Sequence, residues 1–345
     1  MNMMFVEDCC EILDSMRIPI TAADRKEGEY PYYGANGIQD YVAGYIFDDE
    51  LVLLAEDGGN FGSKEKPIAY RVSGKCWVNN HAHVLKPKAG LNVDYLCYSL
   101  MFYKVDGMVN GATRQKLTQS AMRKMQIPSR CMEEQKHIVD ELNRIIKIKE
   151  QRQQELQLLD ELIKARFVEM FGEPRINPNK YPTKMIKDTC IVITGNTPSR
   201  KVDEYYGDAI EWIKTDNIVS GLLYPTLASE SLSDSGKAVG RTVDAGAILM
   251  ACIAGSVARI GRVCITDREV AFNQQINAIV PKEYDVRFLH ALLQISKDYL
   301  VEDINMALKG IMSKSKLEEK EFIVPSMEEQ VGFAEFVEQV NKSKF

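Results

Sequence analysis

The sequence has no run of apolar residues long enough to cross a membrane as a helix, which requires about 18 or more. Its N-terminus, MNMMFVEDCCEILD, also lacks the basic region and apolar core of a secretory signal peptide. With 345 residues, of which 45% are hydrophobic and 27% charged, the chain is long enough for two domains with cores of their own. We therefore predict a soluble, globular, cytoplasmic protein.

Cysteine is present, but never in the CxxC spacing that holds a zinc ion. The eight cysteines are scattered at positions 9, 10, 76, 97, 131, 190, 252 and 264. This distribution indicates reduced and mostly buried thiols, and it excludes a dense disulfide framework.

Sequence motifs for catalysis are absent as well. There is no GxGxxG or GxxxxGK[ST] phosphate loop. An amino-methyltransferase would hold a flipped adenine with Asn/Asp-Pro-Pro-aromatic, and the nearest string, NPNK at 177–180, is better explained as a turn. His81 and His83 are two residues apart on a predicted strand, so both could lie on one face as metal ligands. Because there is no third His or Cys nearby, we favour core packing or a polar contact for them. We predict no catalytic residue, metal site or cofactor on this chain.

Proline and glycine are missing from residues 133–171, which are rich in Leu, Ile, Glu, Lys, Gln and Arg. These residues favour a continuous helix of roughly 58 Å. Apolar positions follow a coiled-coil spacing that is interrupted at Lys149 and Arg152; they are Ile138, Leu142, Ile145, Leu156, Leu159 and Ile163. We favour a spacer helix over an ordinary amphipathic helix on a globular core, because globular helices rarely exceed about 25 residues.

An internal repeat flanks this helix. The first copy contains PYYGANGI (31–38), VNNHAHVLKP (78–87), NVDYLCYSLM (92–101), GATRQKLT (111–118) and IPSRCMEEQKHIVDEL (127–142). The second contains, in the same order, EWIKTDNI (211–218), FNQQINAIVP (272–281), DVRFLHALLQ (285–294), KGIMSKSKLEE (309–319) and VPSMEEQVGFAEFV (324–337). A repeat of this length indicates duplicated domains and not a solenoid.

Each copy mixes strands with helices, so we predict the α+β class. Buried strands are expected at 51–55, 78–85, 247–251 and 276–280, and helices at 91–103 and 286–300. The expected organisation is a first domain at 1–132, a central spacer helix at 133–171, a linker at 172–182, a second domain at 183–326 and a C-terminal helix at 327–345.

The net charge of −6 argues at first against nucleic acid, but the charge is unevenly distributed. Residues 107–132 contain five basic side chains and no acidic one. A domain with such a local basic strip can still bind phosphate. Charge alone therefore does not decide between a nucleic-acid and a protein partner.

Polar side chains recur at equivalent places in the two copies. Asn and Gln can pair with adenine through two hydrogen bonds and Arg with guanine. Taken alone, each of these residues is better explained as an ordinary solvent-exposed side chain or as the source of a hydrogen bond at a strand end. The set repeated in both copies, however, is typical of a recognition surface. The candidates for nucleic-acid contact are Tyr32, Tyr33, Asn36, Lys64, Asn79, Asn80, His81, Arg114, Lys116, Arg200, Lys214, Thr215, Asn217, Arg259, Asn273, Gln274, Gln275, Lys309 and Lys314.

Several short strings occur together in an order that is typical of one protein family. They are GNTP (195–198) followed by WIKTDNI (212–218), YYGANG (32–37), FNQQ (272–275), GAT (111–113) and the two Pro-Ser…Met-Glu-Glu-Gln helix starts. Over nearly its whole length the chain resembles a specificity subunit of a type I restriction–modification system. It departs from the pattern at residues 16–20, which replace the expected Gly-x-Thr-Pro, and in its C-terminal helix, which is about half as long as the central one. From the short helix we expect a truncated or naturally short chain with incomplete helix pairing.

The resemblance implies two target-recognition domains, each reading one half of a bipartite double-stranded DNA site, with antiparallel helices in a coiled coil that fix the spacing. It implies a non-catalytic subunit that directs modification (methyltransferase) and restriction (endonuclease and translocase) subunits. S-adenosylmethionine, ATP and Mg would bind those partners only. A homodimer through the helices is a further expectation. The alternatives are an assembly scaffold with duplicated protein-binding domains and, third, a stand-alone methyltransferase.

Overall fold

The computed structural model describes residues 2–111, 114–253, 259–302, 304 and 310–344. The chain forms two compact units, Met1–Gln151 and Arg152–Phe345, which divide inside one long helix. Each unit combines β-sheet with helices, and this confirms the predicted α+β class. Within the described residues no helix is both long and apolar enough to span a membrane.

The first unit contains the elements that precede the unit boundary, together with the beginning of the long helix. Its strands are β1 (Met3–Phe5), β2 (Cys10–Ile12), β3 (Glu27–Gly34), β4 (Gly37–Val42), β5 (Phe47–Ala55), β6 (Ala69–Val78), β7 (Ala82–Pro87), β8 (Val109–Asn110), β9 (Lys116–Leu117) and β10 (Gln126–Pro128). Its helices are α1 (Val6–Cys9), α2 (Val93–Met101), α3 (Gln119–Arg123) and α4 (Met132–Phe171).

The main sheet of the first unit has the strand order β2-β7-β5-β6-β3-β4. Its pairs are antiparallel except that β3 runs parallel to β6. β5 is central, and its residues from Leu51 to Ala55 are completely buried. Val52 and Leu54 face the cluster that includes α2, whereas Leu51 and Leu53 face a second apolar cluster on the other side. A strand covered on both faces is expected to be a continuous apolar run, which explains the sequence LVLLA.

The second unit contains the remaining elements. Its strands are β11 (Thr183–Met185), β12 (Cys190–Thr194), β13 (Tyr206–Gly207), β14 (Ile210–Ile213), β15 (Ser231–Leu232), β16 (Thr242–Val243), β17 (Ile248–Ala251), β18 (Val263–Ile265), β19 (Val270–Phe272), β20 (Ile276–Pro281) and β21 (Glu321–Ile323). Its helices are α5 (Ile186–Thr189), α6 (Asp234–Val239), α7 (Val286–Ile295), α8 (Lys297–Val301), α9 (Lys314–Glu318) and α10 (Met327–Lys342).

The second unit repeats the strand order of the first. β12-β20-β17-β18 corresponds to β2-β7-β5-β6, and β14 pairs in parallel with β19 as β3 pairs with β6. The long strand β6 is divided in the second unit into β18 and β19, which lie in two sheets. The repeat read from the sequence is therefore a repeat of topology, and the two units differ in how the sheet is interrupted.

Two sequence predictions of secondary structure were wrong in detail. The strand expected at 78–85 is two strands, because the side chain of Asn79 accepts a hydrogen bond from the backbone of His81 at 2.8 Å and closes a turn. The helix expected at 286–300 is α7 followed by α8, with the chain turning at Ser296. The strands at 51–55, 247–251 and 276–280 and the helix within 91–103 are confirmed, with small shifts at their ends.

α4 is a 40-residue helix, and it begins one residue before the predicted start. At its N-terminus Glu134 accepts a hydrogen bond from the backbone N–H of Cys131 at 3.1 Å. It ends at Gly172, whose φ of 76° lies in the left-handed region that glycine tolerates. Only its two ends pack on cores, through Val139 in the first unit and Phe167 in the second, while residues 143–151 are exposed. The middle of α4 thus has the solvent exposure expected of a spacer.

Within the second unit, α10 packs antiparallel to the second half of α4. The rings of Phe333 and Phe167 are 5.3 Å apart, and the Lys344 ammonium lies 2.5 Å from the Asp160 carboxylate. Phe333 in the first half of α10 thus meets a late residue of α4, and Lys344, two residues after the end of α10, meets an earlier one. This confirms the predicted antiparallel pairing over the second half of the long helix.

Candidate nucleic-acid interface

The same turn follows β6 in the first unit and β19 in the second. Asn79 and Asn273 donate their backbone N–H groups to Tyr33 and Ile213 in the neighbouring strand, both at 3.0 Å. Their side-chain oxygens accept from the backbone two residues later, at 2.8 Å from His81 and 3.1 Å from Gln275. An asparagine that makes such bonds builds a turn. The two asparagines therefore place the next residues at the surface.

Burial differs from the expectation for three candidates. Tyr32, Asn79 and Asn273 are 1%, 3% and 6% exposed, so their side chains do not face solvent. The Tyr32 hydroxyl is hydrogen-bonded to the backbone of Ile20, at 3.1 Å to the nitrogen and 3.3 Å to the oxygen. We correct their assignment from base contact to support of the surface loops.

In the first unit, four candidate or neighbouring side chains from separate loops meet beside the turn. The Arg114 guanidinium lies 2.7 Å from the Asp57 carboxylate and 3.3 Å from Nδ1 of His81. Asn36 donates its side-chain N–H to the backbone oxygen of Gly58 at 2.9 Å. Arg114 remains largely exposed, with 60% of its side chain accessible. The cluster thus holds one exposed arginine beside a carboxylate and an imidazole, and most of its donors have no partner among the described residues.

A buried ionic network lies beneath this cluster. Lys116 and Arg17 approach the Glu56 carboxylate at 3.0 and 2.5 Å. Burial alone would raise the pKa of Glu56, but hydrogen bonds from Arg17 and Lys116 outweigh it and hold the pKa below its usual range. The network fixes the 114–118 segment, which carries two of the candidate basic residues, to the core of the unit.

His83 lies in the same network and is completely buried. Its Nδ1 is 2.7 Å from the Asp14 carboxylate and its Nε2 is 2.9 Å from the backbone oxygen of Leu117. Burial would raise the pKa of Asp14, but hydrogen bonds from His83, Val84 and Gln119 keep the pKa below its usual range. His83 is a polar contact in the core, as expected, and His81 lies apart from it in the turn.

The side chains of Asp14, Glu56 and His83 offer ligand atoms within 4.8 Å of one another, a spacing that a metal ion could bridge. Their neighbours do not favour an ion there. Arg17 and Lys116 already supply positive charge to Glu56, and both ring nitrogens of His83 face hydrogen-bond acceptors. A metal ion bound to this imidazole would have to replace one of these hydrogen bonds. The absence of a metal site remains a prediction.

In the second unit, Arg200 and Lys214 share one acidic partner. Arg200 lies 2.6 Å from Glu230, and Lys214 donates to the same carboxylate. The guanidinium of Arg200 also stacks on Tyr206 and Trp212, at 4.5 and 5.1 Å from the ring centres. Hydrogen bonding from Lys214 is the main reason that the pKa of Glu230 lies below its usual range. This basic pair is therefore partly neutralised before any ligand binds.

The loops around the second turn are tied together by side-chain amides. Asn217 accepts from the backbone of Lys214 at 2.9 Å and donates to the backbone oxygen of Leu227 at 3.0 Å. The exposed Gln274 accepts from the hydroxyl of Thr197. Arg259 lies 3.6 Å from Asp216 at the surface. Gln274 and Arg259 are thus two candidate side chains of this region that are exposed to solvent.

The remaining candidates divide by exposure, and their role in recognition stays a prediction. Lys309 lies outside the described residues. Exposed candidates are Asn36, Lys64, Asn80, Arg114, Lys116, Arg200, Arg259, Gln274 and Lys314, and half-buried ones are Tyr33, His81, Lys214, Thr215, Asn217 and Gln275.

Sequence reasoning missed the role of two glutamines in the repeated Met-Glu-Glu-Gln string. Gln135 accepts from the backbone of Asn92 at 2.7 Å and donates to the backbone oxygens of Gly90 and Arg130, both at 2.9 Å. Gln330 makes the equivalent bonds to Asp285, Glu283 and Pro325, at 2.9, 3.3 and 3.0 Å. Both glutamines are 1% exposed. Each fixes the start of a helix against its own domain, and the repetition of the string was the available signal.

Two solved structures share this fold over almost the whole chain. One is the S subunit of the type I restriction–modification system of M. genitalium, with a TM-score of 0.59 and 11% identity over 99% of this chain and 90% of that one. The other comes from work on the assembly and conformational transition of a type I system, with a TM-score of 0.55 and 14% identity over 99% and 90%.

Curated relatives match parts of the chain. A Haemophilus influenzae protein assigned by name as a type I restriction enzyme specificity subunit is 37% identical over 134 residues, which are 39% of this chain and 34% of that protein. The MjaIX specificity subunit of Methanocaldococcus jannaschii is 31% identical over 183 residues, 50% of this chain and 41% of that subunit. The matches thus span less than half the length of these relatives.

The family model described as "Type I restriction modification DNA specificity domain" matches residues 1–158 and 178–345. These two matches cover nearly the whole chain and separate the two structural copies. On this evidence the chain belongs to the type I restriction modification DNA specificity domain family.

Proposed function

We propose that this chain is the DNA-recognition subunit of a type I restriction–modification complex. Each unit reads one half of a bipartite site in double-stranded DNA, and the helices set the spacing between the halves. The observation that carries the proposal is the duplicated framework, in which one buried asparagine turn in each unit presents polar residues that differ between the units. Two copies of one reader on a single chain suit a site made of two different half-sequences.

The chain in this proposal recognises DNA and leaves the chemistry to its partners. Modification subunits bind S-adenosylmethionine and methylate adenine, and restriction subunits use ATP and Mg to translocate and cleave. The strongest support comes from the contacts of the buried carboxylates and of His83. These side chains are engaged in ion pairs and hydrogen bonds that position loops. Calorimetry of the purified chain with S-adenosylmethionine should detect no binding, and saturable binding would overturn the non-catalytic assignment.

Methylome sequencing of cells with and without this gene tests the function directly. We expect a bipartite adenine-methylation motif that disappears when the gene is deleted. Arg114→Ala should relax or abolish recognition of one half of that motif, and Gln274→Ala the other half, because the two residues lie in different units. An unchanged methylation pattern with both substitutions present would show that these loops do not read the bases of the site.

Binding of purified protein to the motif provides the matched control. Arg114→Ala should weaken binding roughly 10-fold or more, with a shallower dependence on salt. Arg166→Ala removes the same charge from α4, where Arg166 pairs with Glu169 at 2.8 Å, and should leave affinity unchanged. Equal losses in both variants would indicate a general charge effect, and absence of any sequence preference would favour a protein-binding scaffold.

A further inference from the structure

We propose that Leu227 in the second unit is a specificity-determining residue, and that its side chain contacts the 5-methyl group of a thymine in the major groove. Leu227 was not among the polar candidates, and this role rests on the DNA recognition proposed above. Three observations lead to it. They are the exposure of the leucine, the bonds that hold its backbone, and its place beside the turn at Asn273.

Leu227 is 81% exposed, more than any other large apolar side chain in the part of the chain that the structure describes. A single exposed leucine is ordinary on a protein surface, so its exposure alone does not indicate a ligand. Exposed apolar residues in loops are usually free to change direction. Leu227 differs because its backbone is held on both sides.

Leu227 lies in the loop that joins β14 to β15, and hydrogen bonds fix the residues around it. The side-chain amide of Asn217 donates to the backbone oxygen of Leu227 at 3.0 Å and to the hydroxyl of Thr226 at 3.1 Å. The backbone N–H of Ala228 donates to the Glu211 carboxylate at 2.8 Å. A leucine held in this way loses little conformational entropy when it meets a ligand.

Further hydrogen bonds connect this leucine to the turn that carries polar candidates. Asn217, which holds Leu227, also accepts from the backbone N–H of Lys214 at 2.9 Å. Lys214 directly follows β14, and the last residue of β14 accepts from the backbone N–H of Asn273 at 3.0 Å. Asn273 in turn places Gln274 at the surface. Leu227 is therefore fixed to the same end of β14 as the residues proposed to read the second half-site.

A single leucine in a fixed position suits the methyl group of one thymine. In the major groove an A·T pair presents that methyl beside the adenine groups that pair with amides, and apolar side chains contact it. The short turn after β14 carries polar side chains, since Asp216 is 85% exposed and lies 3.6 Å from Arg259. The apolar contact available to Leu227 is therefore small and isolated, as a contact with one methyl group is.

A protein partner is a poorer match for this side chain, because protein interfaces are centred on a contiguous apolar area. The other exposed apolar residues of the loop include Leu222 and Tyr224. Both line a cavity of about 490 Å³ beside α10, and Leu227 is not part of its lining. Leu227 thus lies apart from them.

The first unit has no counterpart of this loop. Only Ala35 and Asn36 join β3 to β4, whereas residues 214–230 join β14 to β15. A contact made by Leu227 should therefore affect the second half-site alone, and the first half-site provides an internal control.

Uracil substitution tests the contact, because uracil lacks only the methyl group of thymine. Fluorescence anisotropy of the full chain with duplexes that carry the motif measures the affinity. At one thymine of the second half-site, uracil should weaken binding by wild type about 4-fold. Leu227→Ala should bind the thymine duplex more weakly than wild type and lose nothing further with uracil at that position. Uracil in the first half-site should affect both proteins equally.

Leu222→Ala is the matched control, since it changes the same residue type in the same loop and should keep the wild-type response to uracil. A wild-type protein that is insensitive to uracil at every thymine of the second half-site would overturn the proposal, as would a full uracil effect in Leu227→Ala. Normal DNA binding by Leu227→Ala with loss of binding to a modification subunit would place the residue in a protein interface instead. If wild type does not distinguish the motif from scrambled DNA, the function proposed above fails as well.

Discussion

The two units share one framework but stabilise it with different buried polar pairs. In the first unit Asp14 on the segment after β2 is 2.7 Å from His83 on β7. In the second unit the equivalent positions hold Thr194, whose hydroxyl donates to Asn277 at 2.8 Å. A carboxylate–imidazole pair and a hydroxyl–amide pair thus occupy the same place between equivalent strands. The fold requires only that the two groups satisfy each other, and their chemistry is free to differ.

The largest effect is expected from breaking the carboxylate–imidazole pair. Asp14→Thr leaves His83 buried without its carboxylate and removes the acceptor of Val84 N–H, so it should lower the free energy of unfolding of the first unit by about 3–5 kcal/mol. Adding His83→Asn imports the Thr–Asn pair of the second unit and should recover most of the loss. Urea unfolding can be followed by Trp77 alone in a Trp212→Phe background, since each unit carries one tryptophan. A double variant as unstable as the single one would show that the pairs are not interchangeable.

The second-largest effect is expected from pH, which should change the stability of the two units differently. His290 on α7 is buried, faces Asp160 and Lys344, and burial lowers its pKa from 6.5 to about 4. The unfolded state therefore binds a proton that the folded state does not, and stability falls by up to about 3 kcal/mol between pH 6.5 and 4. Cys97, the equivalent residue in the first unit, is uncharged over this pH range, and burial raises its pKa further, to about 11.

His290→Cys should remove this dependence, measured by the fluorescence of Trp212 during urea unfolding at several pH values. The first unit should instead lose stability below about pH 3.8, since the pKa of Asp14 is lowered and its contribution disappears only as that carboxyl is protonated. Similar pH profiles for both units in the wild-type protein would contradict the assignment to His290.

Unlike the preceding pairs of residues, the two glutamines should contribute equally to the stability of their units. Gln135→Ala and Gln330→Ala each remove three hydrogen bonds from a completely buried position and leave a backbone N–H and two carbonyl groups without partners. Each should cost its own unit about 2–3 kcal/mol, read from the tryptophan of that unit. Losses that differ by more than about 1 kcal/mol would mean that the two helix starts are held differently.

Features that depend on interactions between residues close in sequence could be predicted, and features that depend on contacts between distant residues could not. The long helix was predicted because the absence of glycine and proline affects the backbone conformation locally. β5 was predicted because a short apolar run fits a strand that is covered on both faces. The turn at Asn79 was missed, since an asparagine that builds a turn and one that reads a base look alike in sequence. Asp14 and His83 are 69 residues apart, so their pairing depends on the strand order β2-β7-β5.

The smallest effect compares a buried position of α10 with the position of α4 that aligns with it when Gln330 is matched to Gln135. Val340→Ala empties a buried site and should cost the second unit about 1–2 kcal/mol, whereas Ile145→Ala at a 60% exposed site should cost the first unit less than about 0.5 kcal/mol. Urea unfolding followed by Trp212 for Val340→Ala and by Trp77 for Ile145→Ala measures the two costs separately. Equal costs would contradict the difference in burial, because the two aligned positions would then contribute equally to their units.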